Sequence, residues 1–345
     1  MIFMKKIVTA FSLAFLMCSL AGAQPQVKLE SKPEDKRVDV LIDGKLFTSY
    51  IWPESIKKPV LWPVVSAGGN EVTRQFPLKN KAGERADHPH HVGVWLNYGD
   101  VNGLDFWNNS TSVPAEKAAG YGTIHHESVD KVQSGKGKGF MVVSASWRNQ
   151  AGDVLLNEVS EYTFSVEGKT RIIDRTTILK AVNGKVKITD NKEGMFAIRV
   201  ARELELPAKG KVTLTDSHGN ATEVDASDDK SVSGSYLSSE GITDDNVWST
   251  RGRWMKLTGT IEGEKVSVVI FDHPSNVGYP TYWHARGYGL FAANTLGQKV
   301  FSNGKEELNF EIQNGQSATF RYRLAVFQGD PSAQVIEKTA KEFIK

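Results

Sequence analysis

The chain has 345 residues, of which 40% are hydrophobic and 24% are charged, and its 42 Lys and Arg against 40 Asp and Glu give a formal charge of +2. This composition is typical of a folded protein and excludes a disordered chain, and the lack of a long apolar run after the N-terminal segment excludes a multi-pass membrane protein. No basic block offers the phosphate contacts of a nucleic-acid-binding protein, so we expect no nucleic-acid partner.

The first 23 residues have the layout of a secretory signal peptide. Lys5 and Lys6 form a basic region, residues 7–20 form an apolar region, and residues 21–23 are the small-residue sequence Ala-Gly-Ala. This layout predicts export of the protein to the periplasm or the cell exterior.

Cleavage after Ala23 would make Gln24 the first residue of the mature chain. The single cysteine, Cys18, follows Met17 and not the small residue that lipidation usually requires, so the pattern favours a cleaved signal over a lipid anchor. Cleavage would remove two lysines and the cysteine, leaving a formal charge of zero and no disulfide or thiolate chemistry. We predict a single domain over 24–345, because no linker-like stretch divides it.

Short β-branched or aromatic runs recur along the mature chain and predict strands. They cover residues 38–42, 139–147, 162–166, 171–179, 186–189, 211–215, 254–261, 265–271, 308–312 and 318–326. Asn183-Gly184 and Asn314-Gly315 can supply the positive φ angles of tight hairpins, and they predict that the runs flanking each turn pair with each other. The regular spacing of the runs is typical of a large β-sandwich.

Helical periodicity is confined to the C-terminus, where Asp330 can cap a helix and Pro331 can take its first position. The stretch 225–250 is rich in Ser, Asp and Gly, has no clear period, and is predicted as a long loop. The sequence therefore predicts an all-β fold, a large antiparallel β-sandwich with one C-terminal helix.

Seven of the eight histidines lie in three short groups: His88, His90 and His91; His125 and His126; His273 and His284. In the first group Pro89 favours an extended residue before it, so His88 and His90 are predicted to share one side of an extended segment. Imidazole can serve as acid, base or metal ligand near neutral pH. We therefore predict His90 and His91 as acid/base residues and His88 as a substrate contact. The alternative is that these rings only satisfy buried carbonyls.

The next segment mixes amide, carboxylate and indole groups, which together suit the hydroxyls and the C–H faces of sugars. Its predicted substrate contacts are Trp95, Asn102, Asp105 and Trp107. The alternative for each tryptophan is a place in the core.

A third polar segment follows the predicted strand that ends at Phe271. Its predicted substrate contacts are His273, Tyr282, Trp283, Arg286 and Asn294, and His284 is a further acid/base candidate. The fork of Arg286 suits a carboxylate or a polyol, and a structural ion pair is the alternative. Between the second and third segments, Glu193 is the strongest single carboxylate candidate for catalysis. We expect the three segments to meet at one site.

Three stretches in these segments, HPHHVGVWLNYGDVNGLDFW, KEGMFAIRVA and DHPSNVGYPTYWHARGYGLFAANTLG, resemble the PmoA-like family of secreted bacterial proteins, largely a domain of unknown function. The resemblance covers nearly the whole mature chain and implies a supersandwich like that of galactose mutarotases, many of which act on sugars with His and Glu acid/base pairs. It implies no catalytic residue. The methane oxidation that the family label suggests conflicts with the strand pattern, because that oxygenase subunit is a bundle of membrane helices.

The leading hypothesis is a secreted or periplasmic carbohydrate-active enzyme, an epimerase, lyase or hydrolase, that uses acid/base chemistry on a glycoside or a modified sugar without a cofactor. A second hypothesis is a divalent-metal enzyme in which His88, His90 and a carboxylate such as Asp87 or Asp105 bind the ion, although no H-E-x-x-H spacing is present. A third is a non-catalytic glycan-binding protein. In each case the partner is a small-molecule or oligosaccharide ligand.

Overall fold

The computed structural model describes residues 24–216 and 218–345. The predicted signal peptide and its cleavage site lie outside the described residues. None of the helices within the described part of the chain is long and apolar enough to span a bilayer.

Strands dominate the described chain, as the sequence predicts. In chain order the strands are β1 (Gln26–Lys32), β2 (Arg37–Ile42), β3 (Lys45–Ile51), β4 (Val60–Val64), β5 (Val94–Tyr98), β6 (Thr123–Gln133), β7 (Gly135–Lys136), β8 (Lys138–Arg148), β9 (Val154–Glu167), β10 (Thr170–Ala181), β11 (Val186–Ile188), β12 (Gly194–Arg199), β13 (Lys211–Thr215), β14 (Ala221–Asp225), β15 (Ser235–Ser238), β16 (Trp254–Ile261), β17 (Glu264–Asp272), β18 (Tyr282–Ala285), β19 (Leu290–Asn294), β20 (Phe310–Ile312) and β21 (Ser317–Gln328). The α-helices are α1 (Gln298–Phe301) and α2 (Ala333–Phe343), and short 3-10 turns cover Pro33–Asp35, Ala115–Gly120, Arg202–Leu204, Ala226–Asp228 and Asp244–Val247.

Two large antiparallel sheets form the framework. The first has nine strands in the order β18-β19-β12-β5-β4-β3-β2-β1-β7, and the second has eight in the order β15-β16-β17-β21-β10-β9-β8-β6. Two smaller pairs, β11 with β20 and β13 with β14, lie outside these sheets. The prediction of an all-β fold built from large antiparallel sheets is confirmed.

The inward side chains of both sheets share one apolar core. Alternate residues of β8 and β9 are buried, as expected for strands with one face packed and one face in water. Phe47 of the first sheet meets Phe164 of the second edge to face, with ring centroids 6.4 Å apart. Each such fully buried side chain contributes about 1.5–3 kcal/mol through its removal from water.

Helix α2 covers the outer face of the second sheet. Ile336 is fully buried there in a cluster with Ile172, Val269 and Ala325. The predicted C-terminal helix is therefore present, but its cap is Ser332, whose hydroxyl accepts from the Val335 N–H. The predicted cap, Asp330, forms an ion pair with Lys256 instead, and the helix begins two residues after Pro331.

The two Asn-Gly turns do not close the predicted hairpins. Strand β10 pairs with β21 and β11 pairs with β20, so each turn connects a strand of the large sheet to a strand of the small one. The turns lie side by side, because the Gly184 N–H donates to the side chain of Asn314. Both glycines have positive φ, so the turn chemistry was predicted correctly and the strand partners were not.

The stretch 225–250 is also more ordered than predicted. It contains strand β15, which pairs with β16 at the edge of the second sheet, and two 3-10 turns. The short strand escaped the prediction because only Tyr236 and Leu237 in it are apolar.

Candidate active site

The candidate site lies on the outer face of the nine-stranded sheet. One row of side chains crosses four strands there, with Trp95 opposite Ala197, Ala197 opposite Ala292, and Ala292 opposite His284. The two alanines leave room for the indole of Trp107, which packs in the same buried cluster. The Trp107 ring centroid is 5.2 Å from that of Trp95 and 6.3 Å from that of His284.

The histidine segment passes over this row as a turn and not as an extended strand. The His91 N–H donates to the His88 carbonyl at 2.9 Å, and His88 has a φ of 45°, a left-handed conformation that costs energy for a residue other than glycine. The prediction that His88 and His90 share one side of an extended segment is therefore wrong. Instead, the ring of His88 stacks between His91, at 4.9 Å, and Tyr288, at 5.1 Å.

Two buried arginines hold this turn in place. The Arg74 guanidinium donates to four carbonyls of the segment, those of Arg85, Asp87, His88 and His91. Arg74 and Arg199 also share one carboxylate oxygen of Asp87, at 2.8 and 2.6 Å. Their side chains are 1% and 0% exposed, so the turn is fixed by charged hydrogen bonds in a place that water does not reach.

The same carboxylate orients His88. Its second oxygen lies 3.2 Å from His88 Nδ1, which leaves Nε2 of the ring free to exchange a proton. Burial alone would raise the pKa of Asp87, but its contacts with His88, Arg199 and Arg74 hold the pKa well below its usual value. Asp87 is therefore a stable anion beside an imidazole whose side chain is 40% exposed.

The other two histidines of the group are kept neutral. Burial, together with the nearby charge of Lys58, lowers the pKa of His90 to about 2. Burial lowers the pKa of His91 well below its usual value, and its Nδ1 faces Arg199 at 3.3 Å. Rings in this state can donate or accept one hydrogen bond on each nitrogen but cannot store a proton near neutral pH.

A buried lysine, Lys58, binds the backbone of His90. Lys58 Nζ donates to the His90 carbonyl at 2.6 Å and lies 5.2 Å from the centre of the Trp95 ring. Burial lowers the pKa of this amine to about 7, although the charge of Asp105 opposes the shift. Lys58 and His90 also line a narrow cleft with Asn109.

A second histidine–carboxylate pair stands across the row. His284 Nδ1 lies 3.8 Å from Glu193 Oε2, and the two side chains are 2% and 15% exposed. Burial, with the charges of Lys192 and Arg286, lowers the pKa of His284 to about 3. Glu193 also pairs with Lys192.

Five partly exposed residues from the three predicted segments form the group that we call the mouth. They are Asp87, His88, Glu193, Arg286 and Tyr288. Burial raises the pKa of the Tyr288 hydroxyl, and the charges that act on it include those of Arg286, Glu193 and Asp87. The contacts of His88 with Tyr288, at 5.1 Å, and of Glu193 with His284, at 3.8 Å, bring parts of the three segments together, as the sequence analysis expected.

Buried polar atoms without a partner are concentrated beneath the mouth. Those within the described residues include His88 Nδ1, His90 Nε2, His91 Nε2, His284 Nδ1, Asn97 Oδ1 and the indole nitrogens of Trp95 and Trp107. Most buried polar groups in proteins are hydrogen-bonded, so such a concentration points to a functional region.

The predicted substrate contacts divide into three groups. His88 and Arg286 line the mouth, whereas Trp95 and Trp107 are fully buried and form its floor. Tyr282 lies on the same strand face as His284, but its ring is covered by Arg251 and Phe301. Trp283 points the other way, into the core between the sheets.

The remaining four predicted contacts have structural roles elsewhere. Asn102 bridges to the backbone of β11, and Asp105 accepts the Trp107 and Asn108 N–H groups of its own turn. The ring of His273 packs against Phe343 of α2. Asn294 donates to the carbonyls of Asn191 and Lys192, and so positions the loop that carries Glu193.

The second histidine pair lines a separate feature. His125 and His126 border a cleft of about 260 Å³ together with Trp52 and Lys57. The His126 ring stacks on Trp52 with centroids 3.9 Å apart. This pair lies on β6 of the eight-stranded sheet and is therefore not part of the mouth.

Sequence reasoning did not single out Lys58, Arg74, Arg199 or Tyr288. Lys58 and Arg74 lie in plain strand and loop sequence, where nothing marks a charge as buried. Tyr288 lies two residues from Arg286, and its aromatic character within a polar segment was the available signal. No group of three or more His, Cys, Asp or Glu side chains within the described residues is arranged to hold a metal ion.

Comparison with known proteins identifies the family. Residues 37–341 match the model of a family of unknown function, DUF6807, and the chain belongs to this family. No curated protein matches the chain. The likeness to the PmoA-like family rests on the sequence motifs alone and stays a prediction.

Several solved structures are similar to this chain at low identity. The galactosidase domain of the alpha-galactosidase-sucrose kinase AgaSK aligns over 88% of this chain and 42% of that one, with 7% identity and a TM-score of 0.43. A galactose mutarotase-like protein from Clostridium acetobutylicum aligns over 88% and 99%, with 10% identity and a TM-score of 0.36. A galactose mutarotase related enzyme from Lactobacillus acidophilus aligns over 89% and 98%, with 8% identity and a TM-score of 0.26. This chain thus spans less than half of the AgaSK chain, and the chemistry has to be argued from the site itself.

Proposed function

We propose that the protein is a carbohydrate-active enzyme that binds a sugar at the mouth and transfers a proton to or from it. The observation that carries this proposal is the presence of two histidine–carboxylate pairs near Tyr288, Asp87 with His88 at 3.2 Å and Glu193 with His284 at 3.8 Å. One pair includes a partly exposed imidazole and the other a buried one. Epimerases, lyases and hydrolases of sugars all need such an acid and base.

His88 is the best-placed proton carrier of the site. Asp87 stays ionised 3.2 Å from Nδ1, so its charge favours a proton on that nitrogen. Nε2 is then the atom that accepts a proton from the substrate. This assignment differs from the sequence-based one, in which His90 and His91 were the acid/base residues, because both of those rings are buried and neutral.

Glu193 is the second candidate for proton transfer. Its carboxylate is 15% exposed at the mouth and faces His284, which can hydrogen-bond it but holds no proton of its own near neutral pH. We assign His284 to positioning and Glu193 to the chemistry.

The ring of Tyr288 is covered by His88, stacked at 5.1 Å, and by the Arg199 guanidinium, 5.0 Å from the ring centre, so we assign the Tyr288 hydroxyl and not its ring face to contact with the sugar. Trp95 and Trp107 are fully buried and present no face to a ligand. A purely glycan-binding protein would expose such plates, so the site favours catalysis over binding alone. We also propose, from the N-terminal segment, that the enzyme works in the periplasm or outside the cell.

The test is proton exchange in D2O with a panel of aldoses, uronic acids and glycosides, followed by ¹H NMR. Replacing His88 by Ala or Glu193 by Gln should lower turnover of the active sugar about 100-fold or more, because general acid/base help is worth 10² to 10⁴. His273→Ala is the matched control, since this histidine packs against α2, and its turnover should equal that of the parent. A protein that binds sugars but exchanges no proton and forms no product would refute the proposal in favour of glycan binding.

A further inference from the structure

Arg286 is the one residue of the mouth whose charge is not used by the protein. Within the described residues its guanidinium forms no ion pair or hydrogen bond, whereas Arg74, Arg199 and Arg251 each bind a carboxylate. Asp245 lies beside Gly287 in space but forms no ion pair with Arg286. A partly buried, unpaired guanidinium is costly unless something else binds it.

The position of this guanidinium is fixed in advance. The Arg286 N–H donates to the Leu290 carbonyl at 2.8 Å, and the Arg286 carbonyl accepts from the Tyr236 hydroxyl at 3.4 Å. The guanidinium carbon lies 4.5 Å from the centre of the Trp248 ring, a cation–π contact that holds it without neutralising it. The side chain is therefore held in place while its N–H groups have no hydrogen-bond partner within the described residues.

The carboxylates of the mouth cannot neutralise it. Asp87 is shared by Arg74 and Arg199, and Glu193 pairs with Lys192. These two carboxylates already form ion pairs with three cations, so Arg286 adds a further positive charge that no carboxylate of the mouth balances. Its charge acts on neighbouring groups of the mouth, since it opposes the rise that burial causes in the pKa of Tyr288 and adds to the lowering of the pKa of His284.

We propose that the sugar bound at the mouth is a uronic acid whose carboxylate is held by Arg286. This inference rests on the proposed function and names its substrate class. The planar fork of arginine binds a carboxylate through two parallel hydrogen bonds, which a neutral hydroxymethyl group cannot reproduce.

A carboxylate also explains why an acid and a base stand beside this arginine. The base removes the proton from the carbon bonded to the carboxylate, and the electron pair of that C–H bond forms a C=C bond while the carbonyl π electrons move onto oxygen. Returning a proton to the other face of this carbon restores the carboxylate and inverts the centre. If instead the oxygen substituent on the next carbon departs with its bonding pair, the product is an unsaturated uronic acid. The Arg286 cation stabilises the extra negative charge of the intermediate.

Calorimetric titration with three probes tests the inference: glucuronate or galacturonate, the corresponding neutral aldose, and glucose 6-sulfate. With the unmodified protein at low salt, the uronate should bind at least about tenfold more tightly than the neutral aldose, and the preference should shrink with added salt. In Arg286→Gln the uronate affinity should fall about 10- to 100-fold, and Arg286→Lys should fall in between because it keeps the charge and loses the fork. Arg321→Gln is the matched control, since Arg321 also lacks a carboxylate partner and binds Ser275 elsewhere.

The outcomes separate this inference from the proposed function. The uronate assignment is overturned if uronate and aldose bind with equal affinity, or if the Arg286→Gln protein keeps the preference for uronate. If the protein nevertheless turns over a neutral sugar, the proposed function stands. Preference for the sulfate ester also overturns it, because a carboxylate is what the chemistry requires. Failure to bind any sugar overturns both.

Discussion

Asp87 supports both the fold and the site, so replacing it by Asn should change stability and activity together. The substitution keeps the shape of the side chain but removes the charge that two guanidinium groups share, and those groups are 1% and 0% exposed. Removing one partner of a buried ion pair typically costs 3–5 kcal/mol. Because Asp87 itself is 33% exposed and water screens part of the loss, we expect about 2–4 kcal/mol.

This loss converts into a measurable shift in melting temperature. With an unfolding entropy of about 2.1 cal/mol/K per residue over the roughly 320 described residues, 2–4 kcal/mol corresponds to about 3–6 °C at pH 7. Differential scanning calorimetry measures it directly. Asp35→Asn is the control, because Asp35 is 60% exposed and 3.5 Å from Arg37, and its melting temperature should move by less than about 1 °C.

The pH dependence gives the sharper test. The folded protein holds the pKa of Asp87 below its usual value, so the charge stabilises the fold above the unfolded pKa of about 3.9 and this contribution is lost as the pH falls through the folded pKa. The difference in melting temperature between the parent and Asp87→Asn should therefore have its full value at pH 7 and at pH 5.5 and should be smaller at pH 3. A difference that is the same at pH 3 and pH 7, or absent at pH 7, would show that the carboxylate charge does not hold the two arginines.

Three further predictions concern the helix, the buried lysine and the N-terminus. Ile336→Ala should lower the melting temperature by about 3–7 °C, because large-to-small changes in a core cost about 2–5 kcal/mol, and Val335→Ala should change it little because Val335 is 46% exposed. The amine of Lys58 has a folded pKa lowered to about 7, so its charged form destabilises the fold at low pH and this penalty shrinks as the pH rises. The melting temperature of Lys58→Met minus that of the parent should therefore decrease from pH 6 to pH 9.5. A difference that stays constant over this range would contradict the shifted pKa. Mass spectrometry of the exported protein should find Gln24 at its N-terminus, and an intact or lipid-modified leader would contradict the cleavage site.

Strands were predictable because their signal is local. Strands β8, β10 and β16 each coincide with a predicted run to within two residues, since alternating or continuous apolar residues are enough to specify a sheet with a buried face. Pairing was not predictable in the same way. The Asn183-Gly184 turn determines a backbone conformation, but whether the next strand folds back or joins another sheet depends on the distant strand β20.

The place of the site was also predictable, and its composition only in part. Polar residues cluster in three segments because each segment contributes to the strands that carry the row of side chains from Trp95 to His284, or to the loops beside them. The residues that hold the site together were not visible, since Arg74 and Arg199 are arginines like many others in sequence. Only the fold shows that both are buried on one carboxylate.

The three neighbouring histidines show what the sequence leaves undecided. Their spacing and residue type are nearly equivalent, and a reasonable reading assigns the chemistry to any of them. The turn that Arg74 stabilises sends His88 toward the opening beside an anion, while it buries His90 and His91 near cations. One ring can then carry protons and two can only offer hydrogen bonds. In the proposed function, acid/base capacity is therefore a property of the turn, so a substitution at Arg74, which is buried and binds Asp87, should lower turnover as a substitution at His88 does.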